Sequence, residues 1–302
     1  MSAPHNARSR REFLAAAAGL TAGSILPGFL TRVIARAQTQ EAESDREICE
    51  RILARSKADN LAALPMGALV TLLGRTFLKC PYRGGTLEEP GEEHLVVNLR
   101  QFDCVSLVES SLALARSVKQ GFTDAEGFRR ELQTLRYRDG VIRGYPSRLH
   151  YFTDWIADNA ARRNVADVTK DLGGVVDTRL VTYMTAHRAS YPRLATASDS
   201  AAVAESERLL TARLRYLVPR AALKAALALL REGDIIGITT SMEGLDCSHT
   251  GLVARERRVA KFLHAPLSGG YVQVSRGSLA EYVAGHSGMT GIVVARPLDP
   301  AE

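Results

Sequence analysis

Gly233-Asp234-Ile235-Ile236-Gly237-Ile238-Thr239-Thr240 is where the chain changes texture. This short apolar, β-branched run opens on a glycine and reads as a strand. Four more strands are expected after it, over 249–254, 259–265, 271–274 and 291–295, separated by Gly, Pro and Ser turns as in an antiparallel sheet. Upstream the spacing is helical. Helices are predicted over 49–60, 61–73 (with Pro65 near the start), 124–135, 148–159 and 201–230, the last interrupted at Pro219. The clearest helix follows Asp103, an N-cap type. Cys104, Leu107, Val108, Ser111, Leu112 and Ala115 then form a mostly apolar stripe. Residues 38–47 read as a loose polar tail, 95–99 as a short strand, and 160–200 carry no clear periodicity. Helices first and strands second give an α+β fold, with N-terminal helices packed on a C-terminal antiparallel β-sheet.

The chain has 302 residues, 46% hydrophobic and 24% charged, which excludes a disordered or fibrous chain. At about 150 residues per domain this is one large domain or two small ones. Four cysteines are too few for a disulfide scaffold. The formal charge is +6. Residues 1–37 hold Arg8, Arg10, Arg11, Arg32 and Arg36 against Glu12, so most of the excess is in the leader and the remainder gives no reason to expect a nucleic-acid partner.

Ser9-Arg10-Arg11-Glu12-Phe13-Leu14 opens an uncharged stretch that runs to Leu30, and Ala35-Arg36-Ala37 offers a small-x-small cleavage site. This is the layout of a secretory signal. The arginine pair followed by x-Phe-Leu resembles the twin-arginine export signal. The run is shorter than the roughly 20 apolar residues of a bilayer span and is diluted by Gly19, Gly23, Pro27 and Gly28. The expectation is therefore a leader over 1–37, removed near Ala37, and a folded periplasmic or otherwise exported protein handled by the twin-arginine machinery. No cysteine stands at the cleavage site to carry a lipid.

Cys104 sits in the first turn of its helix. There the dipole and free amides favour a thiolate and can hold an oxyanion. A cysteine on an apolar stripe can equally be a small buried hydrophobe. His249 begins one predicted strand and His264 ends the next. Paired antiparallel, they share a face, one as base for Cys104 and the other as its orienter. Cys247, two residues before His249, is expected on the same face. Cys49 and Cys80 are read as unpaired thiols, although an oxidising compartment would permit a disulfide.

Phe102-Asp103-Cys104-Val105-Ser106-Leu107-Val108 resembles the nucleophile segment of the NlpC-type, papain-like cell-wall peptidases. Gly233-Asp234-Ile235-Ile236 is similar to their strand opening, Ser248-His249-Thr250-Gly251-Leu252 to their base strand, and Pro81-Tyr82-Arg83-Gly84-Gly85 to their upstream turn. Thr86-Leu87-Glu88, Ser147-Arg148-Leu149-His150-Tyr151 and Asp154-Trp155-Ile156 narrow the resemblance to the N-acetylmuramoyl-L-alanine amidase-like branch, over roughly 61–296, with 38–60 as tail and first helix. The resemblance implies a papain-like fold. It makes Cys104 the nucleophile, His249 the base and His264 the third residue. Tyr82 would line the site, and Arg148, His150 and Tyr151 would lie on a helix beside the substrate groove. It implies a peptidoglycan or muropeptide substrate, no cofactor, and a monomer. The cleaved bond would join N-acetylmuramic acid to L-alanine, or, as in the wider superfamily, follow γ-D-glutamate. A zinc amidase using His150, His249 and His264 lacks a His-Glu-x-x-His spacing. A non-catalytic wall-binding module has no need of the Cys–His–His set. A working site should place the Cys104 sulfur within roughly 3–4 Å of a His249 nitrogen.

Overall fold

The computed structural model describes residues 43–194 and 196–300, so the expected leader lies outside the described residues. Five helices come first: α1 (Asp45–Ala58), α2 (Met66–Arg75), α3 (Cys104–Lys119), α4 (Ala125–Arg136) and α5 (Phe152–Ala161). A middle stretch follows, with strands β1 (Val165–Asp167) and β2 (Val175–Asp177), helices α6 (Tyr183–Ala186) and α7 (Ala197–Ala212), strand β3 (Arg215–Pro219) and the short α8 (Leu223–Ala226). The last part holds β4 (Ile235–Thr240), β5 (Cys247–Glu256), β6 (Val259–His264), β7 (Gln273–Val274), α9 (Leu279–Ala284) and β8 (Met289–Pro297).

The fold is α+β. The strands order as β2-β3-β8-β4-β5-β6-β7, with β1 also on β8, and every pairing is antiparallel. Alternation divides the sheet's side chains between two layers. Leu252, Ala254, Leu263 and Val293 face a core built with α1–α5, whereas Ile236, Ile238, Val253 and Phe262 face one capped by α8 and α9. β4 is buried along its whole length, which is why Ile235 to Ile238 reads as a continuous apolar run.

α3 is the spine of the helical layer and is buried almost all round, not along one stripe. Its polar residues are therefore paired: Glu109 with Arg136 of α4 at 2.7 Å, and Arg116 with Glu131 at 2.5 Å. Ser111 and Ser117 donate back to the carbonyls of Leu107 and Ala113. Where α2 passes the entry to β4, main chain touches main chain. A Cβ on Gly67 would stand 2.1 Å from the Glu232 carbonyl oxygen, and Gly233 turns there at φ +78°.

Several expectations are corrected. Residues 45–47 belong to α1, whose cap is Ser44 with a reciprocal bond from Glu47. The predicted helix over 61–73 is a 3₁₀ turn at Leu61–Ala63 followed by α2. Residues 95–99 pair with no strand; side chains take their backbone groups, Asp45 accepting from the Leu99 N–H and Arg136 donating to the Val96 carbonyl. The long helix over 201–230 is instead α7, a strand and α8. Arg215 to Pro219 supplies β3, which pairs with both β2 and β8, so tertiary pairing overrides the alanine-rich context.

Candidate active site

A cavity of about 260 Å³ opens where the start of α3, the start of β5 and the segments around 85–88 and 148–152 meet. Cys104, Glu109, Arg148, His150, Cys247 and His249 are among the residues that line it.

Cys104 is the first residue of α3. Asp103 accepts from the Ser106 N–H at 2.7 Å through its side chain and from Leu107 through its carbonyl. The amides of Cys104 and Val105 are thereby left as the helix-start donors for a ligand. The helix start is tied to the sheet by the Thr250 hydroxyl, which donates to the Cys104 carbonyl at 2.9 Å. The thiol is half-buried. Burial, then the neighbouring Asp103 carboxylate, pushes it up to about 12, and this rise is opposed by Thr250's N–H and hydroxyl and by Cys104's own N–H. Burial and the Asp103 charge thus oppose the thiolate that the helix start favours.

His249 and His264 share a face, and His249 Nε2 lies 2.8 Å from His264 Nδ1. Burial, with a smaller contribution from the charge of His286, lowers His249 to about 4. Burial, then His249 and His286, lowers His264 to about 3. Both rings are neutral at pH 7. With its Nε2 engaged, His249 has Nδ1 left to serve Cys104. Cys104 and His249 line the same cavity. Thr250 meets α3, and His249 therefore turns toward the α9 side, where its ring packs among Phe262 and Tyr282.

Cys247 does not share the face of His249. Ile238 pairs with His249 but Thr239 pairs with Cys247, so Ser248 is an extra residue in β5. The bulge turns Cys247 to the α5 side, where it packs with the helical core, and burial raises its thiol far above the usual range. Cys49, Cys80, Cys104 and Cys247 are all free thiols.

Arg148, His150 and Tyr151 do not lie on a helix; they precede α5 in extended backbone, a 3₁₀ turn at Tyr145–Ser147 before them. Arg148 is buried, donating to Glu88 at 2.8 Å and to the Leu87 carbonyl at 3.0 Å, and it stacks over Tyr145. It thereby fixes the loop that walls the cavity. His150 lines the cavity with Nε2 bonded to the Tyr145 carbonyl, and burial lowers it to about 3. Tyr151 points elsewhere: it donates to Glu207 of α7 at 2.6 Å and accepts from the Met184 N–H at 2.8 Å, in a separate apolar cluster. Tyr82 lies beside Phe102, its N–H on the Gly270 carbonyl; Gly85, Leu87 and Glu88, not Tyr82, form the nearby wall. Among the described residues no three His, Cys, Asp or Glu side chains converge as a metal requires, and His150, held by Tyr145, is not joined to the His249–His264 pair. Thr250 and Tyr282 were missed from the sequence. Strand alternation next to His249 pointed to the first; nothing in its short helix marked the second.

The model of the N-acetylmuramoyl-L-alanine amidase-like family matches residues 72–289. No curated protein matches the chain. Among solved structures, an N-acetylmuramoyl-L-alanine amidase from Bacteroides uniformis is 32% identical, with TM-score 0.73 over 78% of this chain and 99% of its own. A Bacteroides fragilis protein provisionally named a xylanase is 33% identical, with TM-score 0.69 over 74% of this chain and 99% of its own. A Legionella pneumophila protein shares the fold at 20% identity, with TM-score 0.65 over 84% of this chain and 96% of its own. A family match across most of the described chain, on a fold shared with nearly the whole of a named amidase, settles kinship: the chain belongs to the N-acetylmuramoyl-L-alanine amidase-like family.

Proposed function

We propose that the protein is a cysteine-dependent peptidoglycan amidase of the papain-like, NlpC-type class, cleaving the amide between N-acetylmuramic acid and L-alanine. One observation carries the chemistry: a helix-start cysteine lines the same cavity as a histidine whose far nitrogen is held by a second histidine. The B. uniformis amidase supports the bond assignment by kinship.

His249 must accept a proton at Nδ1, so its Nε2 carries hydrogen and donates to His264 Nδ1. His264 is then protonated at Nε2. Substrate entry excludes water and brings the thiol and Nδ1 together. The Cys104 proton passes to Nδ1 as sulfur attacks the carbonyl carbon. The Cys104 and Val105 amides receive the oxyanion. The intermediate collapses, the C–N bond breaks, and imidazolium returns its proton to the leaving amine. Water, deprotonated by His249, then cleaves the thioester and restores the thiol. Arg148 holds the cavity wall through Glu88. A glycosidase reading, which the name of the B. fragilis neighbour invites, needs two carboxyl groups facing across the cleft. Here Glu109 is paired with Arg136, Glu88 with Arg148, and Asp103 caps α3.

The leader reading adds that the protein works outside the cytoplasm after export, and cell fractionation of a tagged full-length chain, with Arg10 and Arg11 replaced by Lys as control, checks it. The test of function is digestion of purified muropeptides followed by mass spectrometry. Free stem peptide is expected from the wild type and none from Cys104→Ala. A stem truncated after γ-D-glutamate would move the assignment to an endopeptidase, and activity surviving Cys104→Ala would overturn the mechanism.

A further inference from the structure

Four rings pack mutually on the α9 side of the sheet: His249, His264, Phe262 and Tyr282, with all six centroid separations between 4.7 and 6.2 Å. Three come from the β5–β6 hairpin. Tyr282 alone arrives from α9. Phe262 and His264 are buried while His249 and Tyr282 are half-buried, so Tyr282 covers part of the imidazole pair on the α9 side. Its ring meets His264 edge-on, at 80° and 4.8 Å. That contact restrains rotation of a ring whose Nδ1 must stay aimed at His249 Nε2, 2.8 Å away. His286 in turn packs on Tyr282 at 4.7 Å, with Nδ1 2.7 Å from the Tyr282 carbonyl oxygen.

We propose that Tyr282 is a positioning residue for the reaction: through its ring, not its hydroxyl, it keeps the His249–His264 pair aligned and dry. This rests on the assignment of His249 as base. Tyr282 touches neither thioester nor oxyanion in the scheme above; it acts through the two imidazoles. The titratable groups facing the pair are Cys104 from α3 across the cavity, Tyr282 from α9, and His286 just beyond α9's end. Burial is the leading cause of the low basicity of both rings, and Tyr282 supplies part of that burial on the open side.

The experiment compares Tyr282→Ala and Tyr282→Phe in the folded enzyme, with two readouts. The first is the pH dependence of kcat/KM for muropeptide cleavage. The second, in a Cys104→Ala background, is NMR titration of the His249 and His264 ring protons, which needs no activity. Tyr282→Ala is expected to raise both imidazole titrations by at least one pH unit, to move the acid limb of kcat/KM upward with them, and to lower kcat by tenfold or more with KM nearly unchanged. Tyr282→Phe is expected to match the wild type in both. Unchanged titrations in Tyr282→Ala overturn the proposal. So does a loss in Tyr282→Phe equal to that in Tyr282→Ala, because the hydroxyl would then be the working group. If Tyr282→Ala unfolds, Tyr282→Leu serves in its place, with the same shifts expected and the same null result decisive. Shifted titrations in an enzyme whose acid limb does not move would instead remove His249 as the base.

Discussion

Burial pushes the Cys104 thiol up to about 12 and the His249 imidazole down to about 4, so both groups favour their neutral forms at pH 7. Proton transfer from thiol to imidazole then belongs to the attack itself. A base of this kind fails only when protonated. The acid limb of kcat/KM is accordingly expected near pH 4, more than two units below an ordinary histidine, and a pH–rate profile of the wild type with a buffer-independent muropeptide assay checks it. A limb at pH 6 or above would contradict the buried imidazole. At this scale Cys104, His249 and His264 were legible because a helix start and two adjacent strands announce their positions locally. Tyr151 and Tyr82 were not. Tyr151's partners are Glu207, 56 residues away in sequence, and the amide of Met184, and no local pattern encodes such a contact.

The helix start of α3 carries two duties that pull against each other. Asp103 caps the helix, and its charge raises the thiol that the helix presents. Asparagine caps about as well as aspartate but brings no charge. Asp103→Asn is therefore expected to leave thermal stability within about 1 kcal/mol of the wild type, while Cys104 alkylation by iodoacetamide at pH 8 becomes faster and its pH dependence moves down. Equal alkylation profiles for the two proteins would show that Asp103 has no hold on the sulfur. Elements were legible where periodicity and caps agree, as in α3, α4 and the run from β4 to β6. They failed where side chains outcompete a ladder, as at 95–99, or where a distant strand recruits a segment, as β8 recruits β3.

Over the whole molecule, three histidines, His264 buried and His249 and His150 half-buried, bind protons more weakly folded than unfolded: His249 at about 4, and His150 and His264 at about 3. Their unfolded value is about 6.5. Each contributes stability that is complete above pH 6.5 and is withdrawn as pH falls from there toward the folded value, at no more than about 1.4 kcal/mol per pH unit per group. The melting temperature is expected to drop steadily from pH 7 to pH 4.5, and His150→Gln, which lies away from the imidazole pair, is expected to flatten that slope. A scanning-calorimetry series at fixed ionic strength measures both, and a melting temperature level across this window would refute the burial of these rings. The α+β class and the division into helices and sheet were readable from texture alone. The sheet's extra width, supplied by β1, β2 and β3, was not, since those strands come from the aperiodic middle of the chain.

The added residue at Ser248 has an outcome that outlasts any single side chain. It works as a phase shifter: it reverses the alternation at that point, so that Cys247 and His249, two residues apart, face opposite sides of the sheet. Were β5 to run in plain alternation with Ser248 in regular register, the Cys247 sulfur would swing round toward the imidazole pair and offer the enzyme's chemistry a competing thiol, with no residue exchanged for another. Spacing here, as much as residue identity, guards which sulfur the reaction uses.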